Sequence, residues 1–427
     1  MTTVSRSRKY DVVIYGASGF VGRQAAAYLA QRNPATGPGG RKRLSWALAG
    51  RSASKLEAIR LTMGDGARQA GIVVAEAHDA HALDALASNA TVVLNTAGPF
   101  ALYGSELVAA CVRHGTHYVD ITGETPWVRE MIQRHHATAV KAGVRIIPFC
   151  GFDSVPSDLG AWLVAQTMQT TYGEPCDSIK ACFTVRGGVN GGTLASLFNI
   201  MGSGQSGELA DRYLLNPAPG KRKAAQASRT NPLDRDPIAP LHDADFNAWL
   251  GPFFMGPINT RVVRRSATLL TPARGKPAGY ARDFHYQEYM RFGSSALAGA
   301  AAAVFSAGMV ASQVAMSLGP LRRLAGRMVP GPGSGPSDAS MDGGSFRCEL
   351  IGKSASGHIV RGVVADKGDP GNRATTKMVC ESALCLALQI DALPGGPALG
   401  GVLTPASGLG EVLLGRLRVA GMTLDAQ

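Results

Sequence analysis

Residues 10–29 read Tyr-Asp-Val-Val-Ile-Tyr-Gly-Ala-Ser-Gly-Phe-Val-Gly-Arg-Gln-Ala-Ala-Ala-Tyr-Leu, and no other stretch limits the possible folds as tightly. Asp11 to Tyr15 is a short, β-branched run of the kind that makes a buried parallel strand. Gly16, Gly19 and Gly22 follow at three-residue spacing, and an alanine-rich amphipathic stretch continues to about Gln31. A strand, a glycine turn and a helix in this order suit a diphosphate. Gly16 lets the chain turn sharply off the strand, Gly19 holds no side chain between backbone and phosphate, and Gly22 lets the helix approach the sheet. The free N–H groups and dipole at the helix start favour the negative charge. The spacing GxxGxxG is a variant of the usual GxGxxG fingerprint, and a glycine turn without a ligand is the plainer alternative. Its place directly after a strand near the N-terminus favours a dinucleotide, with Gly16, Ala17, Ser18, Gly19, Phe20, Val21 and Gly22 as the candidate contacts.

The alternation of strand and helix continues to about residue 150. Strands are expected at 44–49, 72–75, 91–95, 117–121 and 144–148, with helices near 55, at 80–88, at 105–114 and at 126–142. The second strand ends in Gly50-Arg51-Ser52, where a Rossmann fold meets the adenosine ribose. A carboxylate at that place selects NAD. Here a guanidinium can pair with a 2′-phosphate, so NADP is the expected cofactor. The alternative is a solvated arginine beside a helix cap, since Ser52 or Ser54 could cap the helix that follows. The fourth strand ends in Asn95-Thr96-Ala97-Gly98-Pro99, placed where the nicotinamide half would pass.

Two polar loops follow later strands. Asp120, Thr122 and Glu124 come after the fifth, and Asp153, Ser154 and Asp158 sit among Gly151, Phe152 and Pro156 after the sixth. Asp153, Ser154 and Glu124 are the candidate catalytic residues, able to orient substrate or relay a proton. The plainer readings are a turn at Asp120, an acidic helix start at Glu124 and an N-cap at Ser157 or Asp158. No Tyr-x-x-x-Lys pair lies at a useful place, and no residue stands out as the proton donor. Histidine spacing gives no metal site.

The remainder is less regular. A chain of 427 residues exceeds one ordinary core and predicts at least two domains. We divide it into residues 1–155, a doubly wound α/β Rossmann domain; residues 156–365, an α+β substrate or dimerisation domain; and residues 366–427, a helical tail returning to the first. A strand is expected at 179–185, then a glycine-rich loop 187–193 and a helix at 193–202. Residues 215–245 read as an exposed loop. Residues 292–321 carry no charge. They allow a buried or interface helix pair, a greasy face that meets lipid or guides an acyl chain, or a membrane span. Two strands are expected at 346–351 and 358–364, a helix at 375–390, a turn at 400–405 and a final helix at 409–420. The net charge of +12 is scattered, without the basic helix or aromatic-basic pattern of a nucleic-acid binder. Seven cysteines without CxxC spacing read as buried thiols of a cytoplasmic protein.

Several runs together resemble the saccharopine dehydrogenase-like oxidoreductases, in particular the bacterial branch of trans-acting enoyl reductases. They are Val13–Gly22, Leu48–Ser52, Leu94–Phe100, Tyr118–Glu124, Gly151–Asp158, Gly191–Thr193, Gly368–Gly371 and Gly401–Ala406, in order across nearly the whole chain. The resemblance implies NADP as cofactor, a dimerisation or substrate domain after the Rossmann domain, and a hydrophobic acyl substrate, carried on a protein in lipid or polyketide assembly. The implied reaction is reduction of an enoyl double bond. Asn372 departs from the pattern, where an aromatic residue is expected after Asp-Pro-Gly. A saccharopine-type amino-acid dehydrogenase would need an arginine cluster for two carboxylates, which the sequence does not display. A lipid-surface protein with little catalysis is the third reading, at the inner face of the plasma membrane.

Overall fold

The β-branched runs of the N-terminal third form one parallel sheet. In the computed structural model, which describes residues 8–32, 44–187, 208, 210–217, 231–271, 279–317 and 335–427, these strands are β1 (Tyr10–Tyr15), β2 (Trp46–Gly50), β3 (Gly71–Val74), β4 (Ala90–Asn95), β5 (His117–Asp120) and β6 (Arg145–Ile147). Their connections include α1 (Phe20–Arg32), α2 (Ala53–Thr62), α3 (Ala80–Ser88), α4 (Phe100–Tyr103), α5 (Ser105–His114) and α6 (Thr125–Ala142). The order across the sheet is β3-β2-β1-β4-β5-β6, so the winding reverses between β1 and β4. Val12, Val13, Ile14, Val92, Val93 and Leu94 are fully buried, because helices cover both faces. This is the expected doubly wound fold.

Helix α7 (Val155–Tyr172) leads into a second, mixed sheet. Its strands are β7 (Cys176–Arg186), β8 (Leu241–Asp243), β9 (Ala248–Pro252), β10 (Tyr280–Gly293), β11 (Ser345–Lys353) and β12 (Ile359–Lys367), with α8 (Gly256–Leu270), α9 (Ala296–Ser317) and α10 (Asp338–Asp342) between them. The tail adds α11 (Thr375–Leu388), β13 (Gly401–Val402), α12 (Pro405–Val419) and β14 (Thr423–Ala426). Strand β13 extends the first sheet beside β6, and β14 closes the second beside β12. One apolar cluster runs from Val12 and Leu94 through Leu159 to Phe183, Leu350 and Leu413, so the two sheets share a core.

Three expectations need correction. The stretch read as an exposed loop, 215–245, contains β8, while 248–293 folds as β9, α8 and β10 without having been anticipated. The tail is not purely helical, since the expected turn at 400–405 contains a strand paired with Arg145 and Ile146. The uncharged stretch is no buried helix pair: it holds α9, which is only 11% buried over its most apolar window. The glycine loop beyond Gly187 and the helix expected at 193–202 lie outside the described residues. All seven cysteines are buried free thiols.

Candidate cofactor and active site

The carboxyl ends of β1, β2, β4, β5 and β6 bring the sequence motifs to one edge. Gly16 leaves β1 at φ +80°, a left-handed conformation that costs glycine nothing. A Cβ there would meet the Ala97 backbone nitrogen at 2.8 Å, so the loop after β4 packs directly on the glycine loop. Thr96 holds the two together, its backbone N–H donating to Tyr15 O at 2.9 Å and its hydroxyl to the same oxygen at 3.1 Å. A Cβ at Gly22 would lie 2.2 Å from Gly16 O, so only glycine permits this approach of α1. The first turn of α1, Phe20 to Gly22, leaves N–H groups with no intrahelical acceptor. A bare turn against a helix start fits a diphosphate, held by residues 16–22.

Arg51 stands exposed immediately after β2. Among the described residues no carboxylate pairs with it, which leaves its guanidinium available for a phosphate. The neighbouring Gly50 lies close to Ser18, since a Cβ on it would be 4.0 Å from the serine oxygen. Ser52 caps α2, its hydroxyl accepting the Lys55 N–H at 3.4 Å, so the capping reading holds for Ser52 beside the cofactor reading for Arg51. Asn95 is fully buried; its Oδ1 accepts the Ala97 N–H at 2.8 Å and its Nδ2 donates to the Tyr118 hydroxyl at 3.0 Å. It shapes the loop Asn95–Pro99 from beneath, and the Gly98–Pro99 bond is cis.

Under the loop after β5, Asp120 accepts from the Tyr118 hydroxyl at 2.8 Å, from Thr122 N–H at 3.0 Å and from Phe149 N–H at 3.2 Å. Burial pushes its carboxyl up to about 7, against the pull of those donors. It ties the loops after β5 and β6 together. Glu124 is likewise fully committed to structure: its two carboxylate oxygens accept the N–H groups of Phe100 at 2.8 Å and Ala101 at 3.0 Å, at the start of α4. Its negative charge on a helix N-terminus is a cap, not a proton relay. Ser154 also differs from its expected catalytic role. It is completely buried and donates to Asn259 Oδ1 at 3.0 Å, and Asn259 in turn donates to Glu288 Oε2 at 3.0 Å. This chain fastens the start of α7 to α8 and β10.

Asp153 behaves differently. Its side chain is half-buried and bonds to no described residue. Its Oδ2 lies 3.7 Å from where a Cβ on Gly123 would stand, so it faces the loop after β5, with Ile258 and Met255 close by. Desolvation alone pushes its carboxyl up to about 6. The loop is held from below by Thr375, whose hydroxyl accepts the Phe152 N–H at 3.0 Å. Phe149 enters it at φ +67°, a strained conformation for a bulky residue and one that marks functional loops. Phe152, next to Asp153 in sequence, turns into the shared core, where it meets Phe346 at 4.9 Å and Phe183 at 6.2 Å, and Phe183 stacks on Phe253 at 4.2 Å.

The sequence did not show the three arginines of α8, which are buried. Arg261 binds Asp236, Arg264 donates to Arg212 O, Asp234 O and Tyr286 O, and Arg265 donates to Leu215 O and Val402 O. Spent on the protein's own acceptors, they do not form a carboxylate-binding cluster. Asn372, the departure in the Gly-Asp-Pro-Gly run, is buried and donates to Asp369 Oδ1 at 2.6 Å. Asp369 sits against Gly187, which brings that run to the base of the glycine-rich loop.

Comparison with known proteins agrees with this geometry. Residues 12–147 match the family model of the saccharopine dehydrogenase NADP binding domain. A Mycobacterium tuberculosis protein provisionally named as a trans-acting enoyl reductase is 38% identical, over 98% of this chain and 97% of its own length. A trans-acting enoyl reductase of the same species is 36% identical, and one of Mycobacterium leprae 35%, each over 98% of this chain and 97% of the relative. Among solved structures, the L-glutamate-forming saccharopine dehydrogenase of Saccharomyces cerevisiae shares the fold, with TM-score 0.53 at 14% identity over 97% of this chain and 99% of that one. An NADP-type glycine loop on a doubly wound sheet, joined to a second mixed sheet, and full-length identity above one third lead to one assignment: the chain is an NADP-dependent oxidoreductase and belongs to the saccharopine dehydrogenase-like family, alongside the trans-acting enoyl reductases.

Proposed function

We propose that the protein reduces the carbon–carbon double bond of an enoyl thioester with a hydrophobic acyl chain. The observation that carries this reading is Asp153: a carboxyl that bonds to no described residue, raised to about 6, at the sheet edge against the loop after β5. Bound NADPH supplies the hydride for the β-carbon. The chain's own residues must then place a proton on the α-carbon, and a carboxyl that keeps its proton up to about pH 6 serves that end. Ile258 and Met255, close to Asp153 at Gly123, are apolar neighbours that suit an acyl chain and that two carboxylates would avoid. The buried arginines of α8, already bonded within the protein, argue against a saccharopine-type substrate.

The test is NADPH oxidation on adding a long-chain enoyl thioester. We expect turnover, with kcat falling about 10²- to 10⁴-fold in Asp153→Asn while the NADPH-induced rise in Tm persists. The limiting rate should fall on the alkaline side with a midpoint near 6, because the acid must hold its proton. Full kcat in Asp153→Asn removes it as proton donor. Turnover only with an imine substrate replaces the enoyl reading by an amino-acid dehydrogenase.

A further inference from the structure

Helix α9 is the part of the molecule that the chemistry above leaves unused. It has no charged residue from Ala296 to Ser317, and its most apolar window has mean hydropathy 1.5 with only 11% buried. It touches the body along one stripe. Ala298, Ala302 and Ser306 are buried, where Gly299 lies against Trp249 and Ser306 against Gly251 of β9. The remaining directions face solvent with apolar groups, including Leu297 at 83% exposure and Val304 at 75%. Beyond Ser306 the described side chains are exposed except for half-buried Met309 and Ala315. A groove of about 460 Å³ beside the helix, lined by Ile238, Pro240, Ala303, Ala307 and Val310, continues the apolar surface.

We propose that α9 docks the protein on an anionic lipid bilayer by inserting into one leaflet. A helix that meets a second copy of the chain normally shows one apolar stripe and a polar back. Among its exposed described residues only Ser312 and Gln313 are polar, too few for a polar back, so one protein partner would leave other apolar sides in water, whereas lipid acyl chains reach them. Charge supports the same occupant. The residues directly after the helix in sequence carry Arg322, Arg323 and Arg327, with no acidic residue before Asp338. Such a basic run beside an apolar helix is attracted to anionic headgroups. The length decides between insertion and spanning. The first half is fastened to β9, and residues 307–317 extend about 16 Å at helical rise, half of a hydrocarbon core of roughly 30 Å. The proposal does not depend on the enoyl reading.

The test is cosedimentation of the NADP-loaded protein with vesicles of mixed phosphatidylglycerol and phosphatidylcholine, or of phosphatidylcholine alone. Wild type should pellet with the anionic vesicles and less with the neutral ones. Val304→Glu with Val310→Glu should lower that partition by about tenfold or more, as charges entering hydrocarbon do. Arg322→Glu with Arg323→Glu should remove the preference for anionic lipid. Both variants alter exposed or sequence-flanking positions and should keep the NADP-induced rise in Tm, which shows that they fold. Wild type remaining in the supernatant with anionic vesicles overturns the proposal. So does a dimer in light scattering that the valine variant abolishes while vesicle binding is absent, since the face then belongs to a second copy.

Discussion

Arg51 is the residue on which cofactor choice turns. It is exposed at the end of β2, next to the glycine loop, and no carboxylate competes for it among the described residues. A 2′-phosphate there gains a charge-assisted pair, whereas the NAD ribose has no charge to offer. In Arg51→Glu we expect NADPH affinity to fall about tenfold or more, with NADH binding little changed, as read by fluorescence titration. Equal losses for both nucleotides would mean a folding defect and not lost recognition. The same scale shows what local sequence can reveal. Gly16 and Gly22 act on neighbours in the same turn or on the adjoining loop, and their roles could be read from spacing, whereas the bond from Asn95 to Tyr118 on the next strand could not. The partners of Glu124 are at Phe100 and Ala101, and that of Ser154 is Asn259, on helix α8. Their positions at the sheet edge were legible; what they bond to was not, because it depends on strand order and on the packing of α8.

Among the elements, β13 is the least visible in sequence and the most dependent on one side chain. Two residues cannot show an alternating pattern, and Arg145 in β6 reads as a solvent-facing charge. In the fold Arg145 is wholly buried beneath the tail, donating to the carbonyls of Leu399, Pro394, Gly396 and Gly408. Desolvation draws its guanidinium down to about 10, which still leaves it charged. It fixes the course of residues 394–408, and β13 can then pair with β6. Arg145→Leu would strand those carbonyls away from water, at a cost of about 1–3 kcal/mol for a buried acceptor left without a donor. We expect a lower Tm and faster proteolysis between residues 388 and 404, with a smaller effect in Arg145→Lys; an unchanged Tm would refute the role. The same physics hid β9, α8 and β10. Arg261, Arg264, Arg265 and Glu288 break the apolar periodicity, yet all are buried, because each finds its partners inside the protein. Long periodic segments such as α3, α5 and β1, which need no distant partner, emerge from sequence within a residue or so.

Over the whole molecule, three carboxyls lie where the layers meet. Asp120 joins loops of the first sheet, and Glu288 of β10 accepts from Tyr286 and Asn259. Asp158 of α7 accepts from Ser266 of α8 and from the Ala406 N–H of α12, and so links the second sheet's helices to the tail. Burial raises all three to about 7. A carboxyl raised on folding contributes stability below its unfolded value, and that contribution is lost as pH climbs through the folded one. The buried His117 works in the opposite sense. Burial lowers it from 6.5 to about 4, so it disfavours the fold as pH drops through 6.5, an effect that has faded by about pH 7.5. Between about pH 6.5 and 8 only the last part of one histidine's contribution remains, while three carboxyls are still giving up protons and outweigh it. Stability should decline across that interval. Calorimetry should give a lower Tm at about pH 8 than at about 6.5, and a shallower decline in Asp158→Asn, whose amide cannot ionise. A Tm that rises over the interval would show that these carboxyls are already ionised and balanced in the fold, and that their hydrogen-bond donors outweigh their burial.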